Sequence, residues 1–228
     1  MRTHQVYKFI FALLFIAINS TAQNVSRYYE NGKTGFKNTA TGQVVVPAHY
    51  TGGSEMTQTP DGKYLALVTD GLKAGYINDK GEVIIPLTFD EGSAFSEGLA
   101  RVRMGTKYGY INAKGEAVIR MGYDFARDFK SGIARVGNDG KYGFINTTGN
   151  AIIPFQYYNA GDFANGLAPV MNADAKWGFI DMQGNMVIQP VYTKAENFEN
   201  GEALVYNGEK FIYVDTKGNY LRDMNVGR

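Results

Sequence analysis

The sequence predicts an all-β protein, a tandem array of about six three-stranded β-hairpin repeats. Three observations carry this expectation. Gly75-Tyr-Ile-Asn78, Gly109-Tyr-Ile-Asn112, Gly143-Phe-Ile-Asn146 and Gly178-Phe-Ile-Asp181 recur with their glycines 34, 34 and 35 residues apart. A second set keeps the same spacing: Phe95-Ser-Glu-Gly-Leu-Ala100, Phe129-Lys-Ser-Gly-Ile-Ala134, Phe163-Ala-Asn-Gly-Leu-Ala168 and Phe198-Glu-Asn-Gly-Glu-Ala203. Self-similarity at such a period marks a repeat architecture. The composition agrees, because 28 glycines, 16 tyrosines and 14 phenylalanines with only 6 prolines suit short strands joined by tight turns. Looser first and last copies stand at Gly35-Phe-Lys-Asn38 and Ile212-Tyr-Val-Asp215.

Within one unit, Leu99-Ala-Arg-Val-Arg103 alternates apolar and polar residues, as a half-buried strand does. Lys107-Tyr-Gly-Tyr-Ile111 reads as a second strand and Asn112-Ala-Lys-Gly115 as a turn. Asparagine or aspartate opens such a turn by bonding nearby amides, and glycine closes it by accepting positive φ. Glu116-Ala-Val-Ile119 then reads as a third, β-branched strand. The connector opens with Pro86, Pro154 or Pro190, which should end a ladder for want of an N–H. Its aromatics (Phe89, Tyr123, Tyr157, Tyr192), small residues and phenylalanines follow at intervals of three, predicting one helical or 3₁₀ turn whose rings plug the core between hairpins. Glycine inside a strand marks a close approach of backbone or ring. The aromatics Tyr108, Tyr142 and Trp177 before these glycines suggest a neighbouring ring there.

These residues resemble the WG-repeat family, also called the KWG repeat. Lys176-Trp177-Gly178-Phe179-Ile180-Asp181 matches its pattern outright, and Lys107-Tyr108-Gly109 and Lys141-Tyr142-Gly143 match with tyrosine for tryptophan. Tyr123-Asp124, Ala126 and Phe129 match the connector. The resemblance covers about 31–221. Thr34 and Ala74 replace the tryptophan in the first two copies, and Ile212 replaces the glycine in the last. The family is widespread in bacteria, often exported and mostly without assigned activity, so the resemblance implies a fold more than a function.

Stacked units of three strands can form an open, solenoid-like array or close into a propeller-like ring. Propeller blades typically have four strands and about 40 residues or more, so a 34-residue unit favours the open array. The chain divides into an expected signal peptide, 1–22, and a WG-like β-repeat domain, 23–228. Arg2 and Lys8 precede the apolar run Phe9 to Ile18, and Ser20 and Ala22 sit where a signal peptidase would cut before Gln23. The expected location is therefore periplasmic or extracellular.

Loss of Arg2 and Lys8 leaves 21 basic against 22 acidic side chains, formally −1. This balance gives no pull toward nucleic acid or an anionic membrane. With no cysteine, stability must come from packing. His49 is the one histidine left after the leader, so zinc sites and Ser-His-Asp triads lack their parts. No cofactor motif appears. Two carboxylate pairs could serve a hydrolase, Asp124 with Asp128 and Asp128 with Asp162. The second pair, at equivalent positions of adjacent units, should lie roughly 14 Å apart, outside the about 5–9.5 Å that glycosidases use. The leading reading is a non-catalytic binding or scaffold module at the bacterial cell envelope, its partner a glycan or a protein. Tyr108, Tyr142 and Trp177 are its candidate contacts, by stacking on sugar rings or gripping peptide. The competing reading of the same three rings is inter-repeat packing.

Overall fold

A computed structural model describes residues 24–224; the expected signal peptide lies outside the described residues. Six antiparallel sheets follow one another along the chain. Sheet I holds Val25–Glu30, Lys33–Asn38 and Val44–Tyr50. Sheet II orders Gly52–Gly53, Tyr64–Thr69, Ala74–Asn78 and Val83–Phe89, with Thr57–Gln58 also paired to Tyr64–Thr69. Sheet III orders Glu91–Gly92, Ala100–Met104, Lys107–Ile111 and Ala117–Tyr123. Sheets IV, V and VI repeat this order, beginning with Phe125–Ala126, Asn159–Ala160 and Lys194–Ala195. Each of these sheets is a meander of a two-residue lead strand and then a first, second and third strand.

The predicted three-stranded hairpin unit is present, and the connector adds the lead strand to it. The connector is thus extended, not the helical turn that its spacing by three suggested. Its backbone groups pair instead with the next unit's first strand, Ala126 with Val136 and Ala160 with Val170. The connector phenylalanines do plug the core, each against the second strand of the preceding sheet. Tyr76–Phe95, Tyr110–Phe129, Phe144–Phe163 and Phe179–Phe198 have ring centroids 4.8–5.0 Å apart, within the range of favourable aromatic pairs.

Proline does not end the third strand. Val83–Phe89 runs through Pro86 and Ala151–Tyr157 through Pro154. These are edge strands, where a missing N–H leaves no ladder bond unmade. The ladder breaks register there instead: Tyr142 and Phe144 pair with Tyr157 and Ile153, so the third strand bulges. The bulge folds over the strand glycine. A Cβ on Gly143 would lie 2.7 Å from the Ile153 carbonyl oxygen and 3.1 Å from the Phe155 nitrogen, and Gly75 and Gly109 are as tightly covered. Backbone, not the expected ring, excludes a side chain there; a ring joins in only at Gly35, under Tyr28. Sheet VI supports this cause, because Ile212 and Tyr213 pair in register with Asp223 and Arg222. Without that bulge, isoleucine fits where glycine stood.

The sheets stack face to face. Each back face offers alanine and a β-branched residue: Ala66 with Ile77, Ala100 with Ile111, Ala134 with Ile145, Ala168 with Ile180 and Ala203 with Val214. All are at most 1% exposed. Each forward face offers an aliphatic residue, an aromatic ring and another aliphatic residue, as in Leu99, Tyr110 and Ile119 or Leu167, Phe179 and Ile188. These cores interlock only between neighbours, the hallmark of a one-dimensional repeat protein.

The two outer faces break the pattern. On sheet I, Ser26 and exposed Lys37 stand at the alanine and isoleucine positions. On sheet VI, Glu202, Tyr213 and Arg222 stand at the Leu167, Phe179 and Ile188 positions. Arg222 donates to both carboxylate oxygens of Glu202, at 2.7 and 2.6 Å, and its guanidinium carbon lies 4.2 Å from the Tyr213 ring centroid. Burying such polar faces against each other would be costly. The array is therefore open, with a hydrophilic cap at each end.

Candidate functional site

One position on each first strand faces one position after the next lead strand, so it sits at every junction between sheets. At three junctions an arginine meets an acid. Arg27 Nε lies 3.1 Å from Glu55 Oε1, Arg101 Nε 3.2 Å from Asp128 Oδ1 and Arg135 Nε 3.0 Å from Asp162 Oδ1. The last pair is a charge contact only. The Arg135 Nε hydrogen has no acceptor, although that atom is buried. Burial pushes the Arg135 guanidinium pKa down from its ordinary value, against the opposing pull of Asp162. At the other two junctions the ladder is uncharged: Leu67 stands opposite Ala94, and Pro169 opposite Asn197. Arginine and acid thus appear and disappear together along the chain.

This pairing disposes of the two carboxylate pairs as free acid–base groups. Asp128 and Asp162 each hold an arginine. Asp124 accepts from Lys107 Nζ at 2.6 Å and from the Asp139 amide at 3.0 Å. The lysine, with that amide, holds the Asp124 carboxyl below its ordinary range. Such a group is an ionised acceptor with a structural partner, far from the near-neutral pKa that suits a general acid.

The three candidate rings are half-buried and occupy equivalent positions, opposite Tyr123, Tyr157 and Tyr192 of the third strands. Tyr108 donates from its hydroxyl to Glu91 at 3.1 Å and carries Arg101 over its face at 5.2 Å. Tyr142 is packed edge-on by Phe125 at 5.5 Å. These two rings are engaged by their own neighbours. Trp177 also packs against the core of sheets V and VI, but it lines an open cavity of about 580 Å³.

That cavity lies where the lead strands of sheets V and VI meet, walled by Pro169, Trp177, Glu196, Asn197 and Glu199. It shares Arg127, Arg135, Asp162 and Asn197 with a second cavity of about 400 Å³ that reaches back past Phe163 to Ser96. The two form one groove, and both volumes fall within the range of small-molecule sites. The sequence singled out Trp177, and Asp162 only as half of a carboxylate pair, but not Arg135, Glu196 or Asn197 around them. One signal was available: aligned on the repeat, Arg27, Arg101 and Arg135 track Glu55, Asp128 and Asp162, and the series fails at Pro169 and Asn197. Among the described residues no group of three or more His, Cys, Asp or Glu side chains could hold a metal ion, and no helix is long and apolar enough to cross a membrane.

Solved structures share the fold. A eukaryotic initiation factor aligns with a TM-score of 0.54 at 10% identity, over 90% of this chain and 64% of that one, so the chain spans just under two thirds of its length. Hsv2p of Kluyveromyces lactis aligns at 0.51 and 9% identity, over 86% and 72%. BamB from Moraxella catarrhalis reaches only 0.45, at 11% identity over 86% and 71%. No curated protein matches the chain. Residues 75–108, 108–142, 142–174 and 177–211 match, one after another, the model of a WG containing repeat.

Proposed function

We infer that this chain, which belongs to the WG-containing repeat family, is a non-catalytic interaction module exported to the bacterial cell envelope, where the groove along sheets IV to VI holds a glycan or a protein. One observation carries the reading. The groove is open, walled by both charge signs and floored at one end by an aromatic ring, while its ionisable groups are tied to structural partners or lack a reactive neighbour. Extended surfaces built from stacked units are the usual means by which repeat proteins bind. The leader expected over 1–22 supplies the export.

Two experiments test it. The full chain, tagged at its C-terminus, should fractionate with periplasm or medium, and deletion of residues 2–22 should leave it in the cytoplasm. The purified protein should retain either purified peptidoglycan or a single envelope protein, and Arg127→Glu in the groove should weaken retention without changing the melting temperature. Retention of neither would end the binding reading, and cytoplasmic fractionation of the full chain would end the envelope one.

A further inference from the structure

We propose that the junction of sheets V and VI is a saccharide site, in which Trp177 stacks on one face of a neutral pyranose ring while Asp162, Glu196 and Asn197 hold its hydroxyl groups. The proposal rests on the groove reading and names its ligand class. Three independent features meet at this junction.

The first is space. Where the ladder is charged, an arginine side chain reaches across from the first strand to the next unit. Here Pro169 takes the arginine's place and cannot reach, and the cavity of about 580 Å³ opens beside it. The second is the balance of the wall. Arg127 and Arg135 stand against Asp162, Glu196 and Glu199, two basic groups to three acidic ones, so a strong anion gains no net attraction and the wall mixes donors with acceptors. A neutral polyol needs donors and acceptors side by side, and planar carboxylate, amide and guanidinium groups supply them in geometry that suits adjacent hydroxyls. The Asn197 Oδ1 already accepts from the Asp162 amide at 3.1 Å, which orients its NH₂ as a free donor. Among the described residues, the Glu196 carboxylate and the Trp177 indole N–H make no hydrogen bond within the protein. The third is the ring. Trp177 is the only tryptophan in the chain and offers the largest aromatic face among the candidate rings. The negative face of an aromatic ring attracts the polarised C–H groups of a sugar.

The lone tryptophan makes the test direct, because all indole fluorescence comes from the site. The full-length protein is titrated with cellohexaose, chitohexaose, xylohexaose, mannohexaose and laminarihexaose. At least one hexasaccharide should give a saturable blue shift. By calorimetry, Glu196→Gln and Trp177→Phe should each raise Kd for that sugar at least tenfold, Glu196→Gln with an unchanged melting temperature. If no hexasaccharide shifts the emission, or if both variants bind as tightly as the parent, the assignment is overturned. Retention of an envelope protein without any hexasaccharide response would overturn it while leaving the interaction-module reading intact.

Discussion

Replacing Gly143 with alanine should destabilise the protein far more than one methyl group suggests. The new Cβ would sit 2.7 Å from the Ile153 carbonyl oxygen, and ordinary contact begins at 3.4 Å. The third strand would have to retreat by about 0.7 Å, the difference between those distances, and both obstructing groups are backbone. No rotamer change can relieve that contact. Overpacking of this kind costs about 1–3 kcal/mol. For a chain of this size each kcal/mol lowers Tm by about 2–4 °C, so a cost of about 2 kcal/mol predicts a fall of about 4–8 °C. Circular dichroism melts of Gly143→Ala measure it. Gly122→Ala is the control. It lies in an equivalent third strand, with negative φ and nothing nearer its Cβ than 3.8 Å, and should leave Tm unchanged or slightly higher. A Gly143→Ala melt within 1 °C of the parent would refute the argument that backbone approach selects this glycine.

The same logic predicts the reverse residue preference at Ile212, which is buried and has no bulge over it; Ile212→Gly should lower Tm by at least as much as Gly143→Ala. Asp162→Ala should cost more than Asp128→Ala in chemical denaturation, because Arg135 is only 11% exposed at its side chain against 20% for Arg101; loss of about 1–3 kcal/mol is expected for the first and less than about 1 kcal/mol for the second. Acid should destabilise the fold through Asp90, Asp124 and Asp223, whose carboxyls are held low chiefly by Lys73, Lys107 and Lys210. Their folded values lie below the unfolded 3.8, so their contribution is fully present above pH 5 and is lost as pH falls through 3.8 and below; Asp124→Asn should flatten that part of a stability–pH curve. Glu202→Leu with Arg222→Ile would give the last sheet an internal forward face, and light scattering should then show concentration-dependent association.

Much of the fold was legible because the repeat supplies several readings of each position. The turn residues Asn78, Asn112 and Asn146 and the plugging Phe95, Phe129 and Phe198 follow from local chemistry repeated in register. The lead strands were not legible. Two residues carry no alternation, and Ala126 joins a sheet only because Val136 of the next hairpin is there to receive it. The bulge was hidden for a related reason. Proline at 86 or 154 reads locally as a stop, and only the edge position of the third strand turns it into a fold over Gly75 or Gly143. At the candidate site Trp177 was legible as an aromatic with a distinctive neighbour. Asn197 and Glu196 became visible only once the junction was known to lack its arginine.

The two hydrophilic ends have a consequence for assembly. A stack whose every internal interface fits the next copy carries the information to continue indefinitely, since the last forward face could accept the first back face of another molecule. Ser26 and Lys37 at one end, and the Glu202–Arg222 pair at the other, act as stop signals. They keep a surface designed for stacking from growing into a fibre.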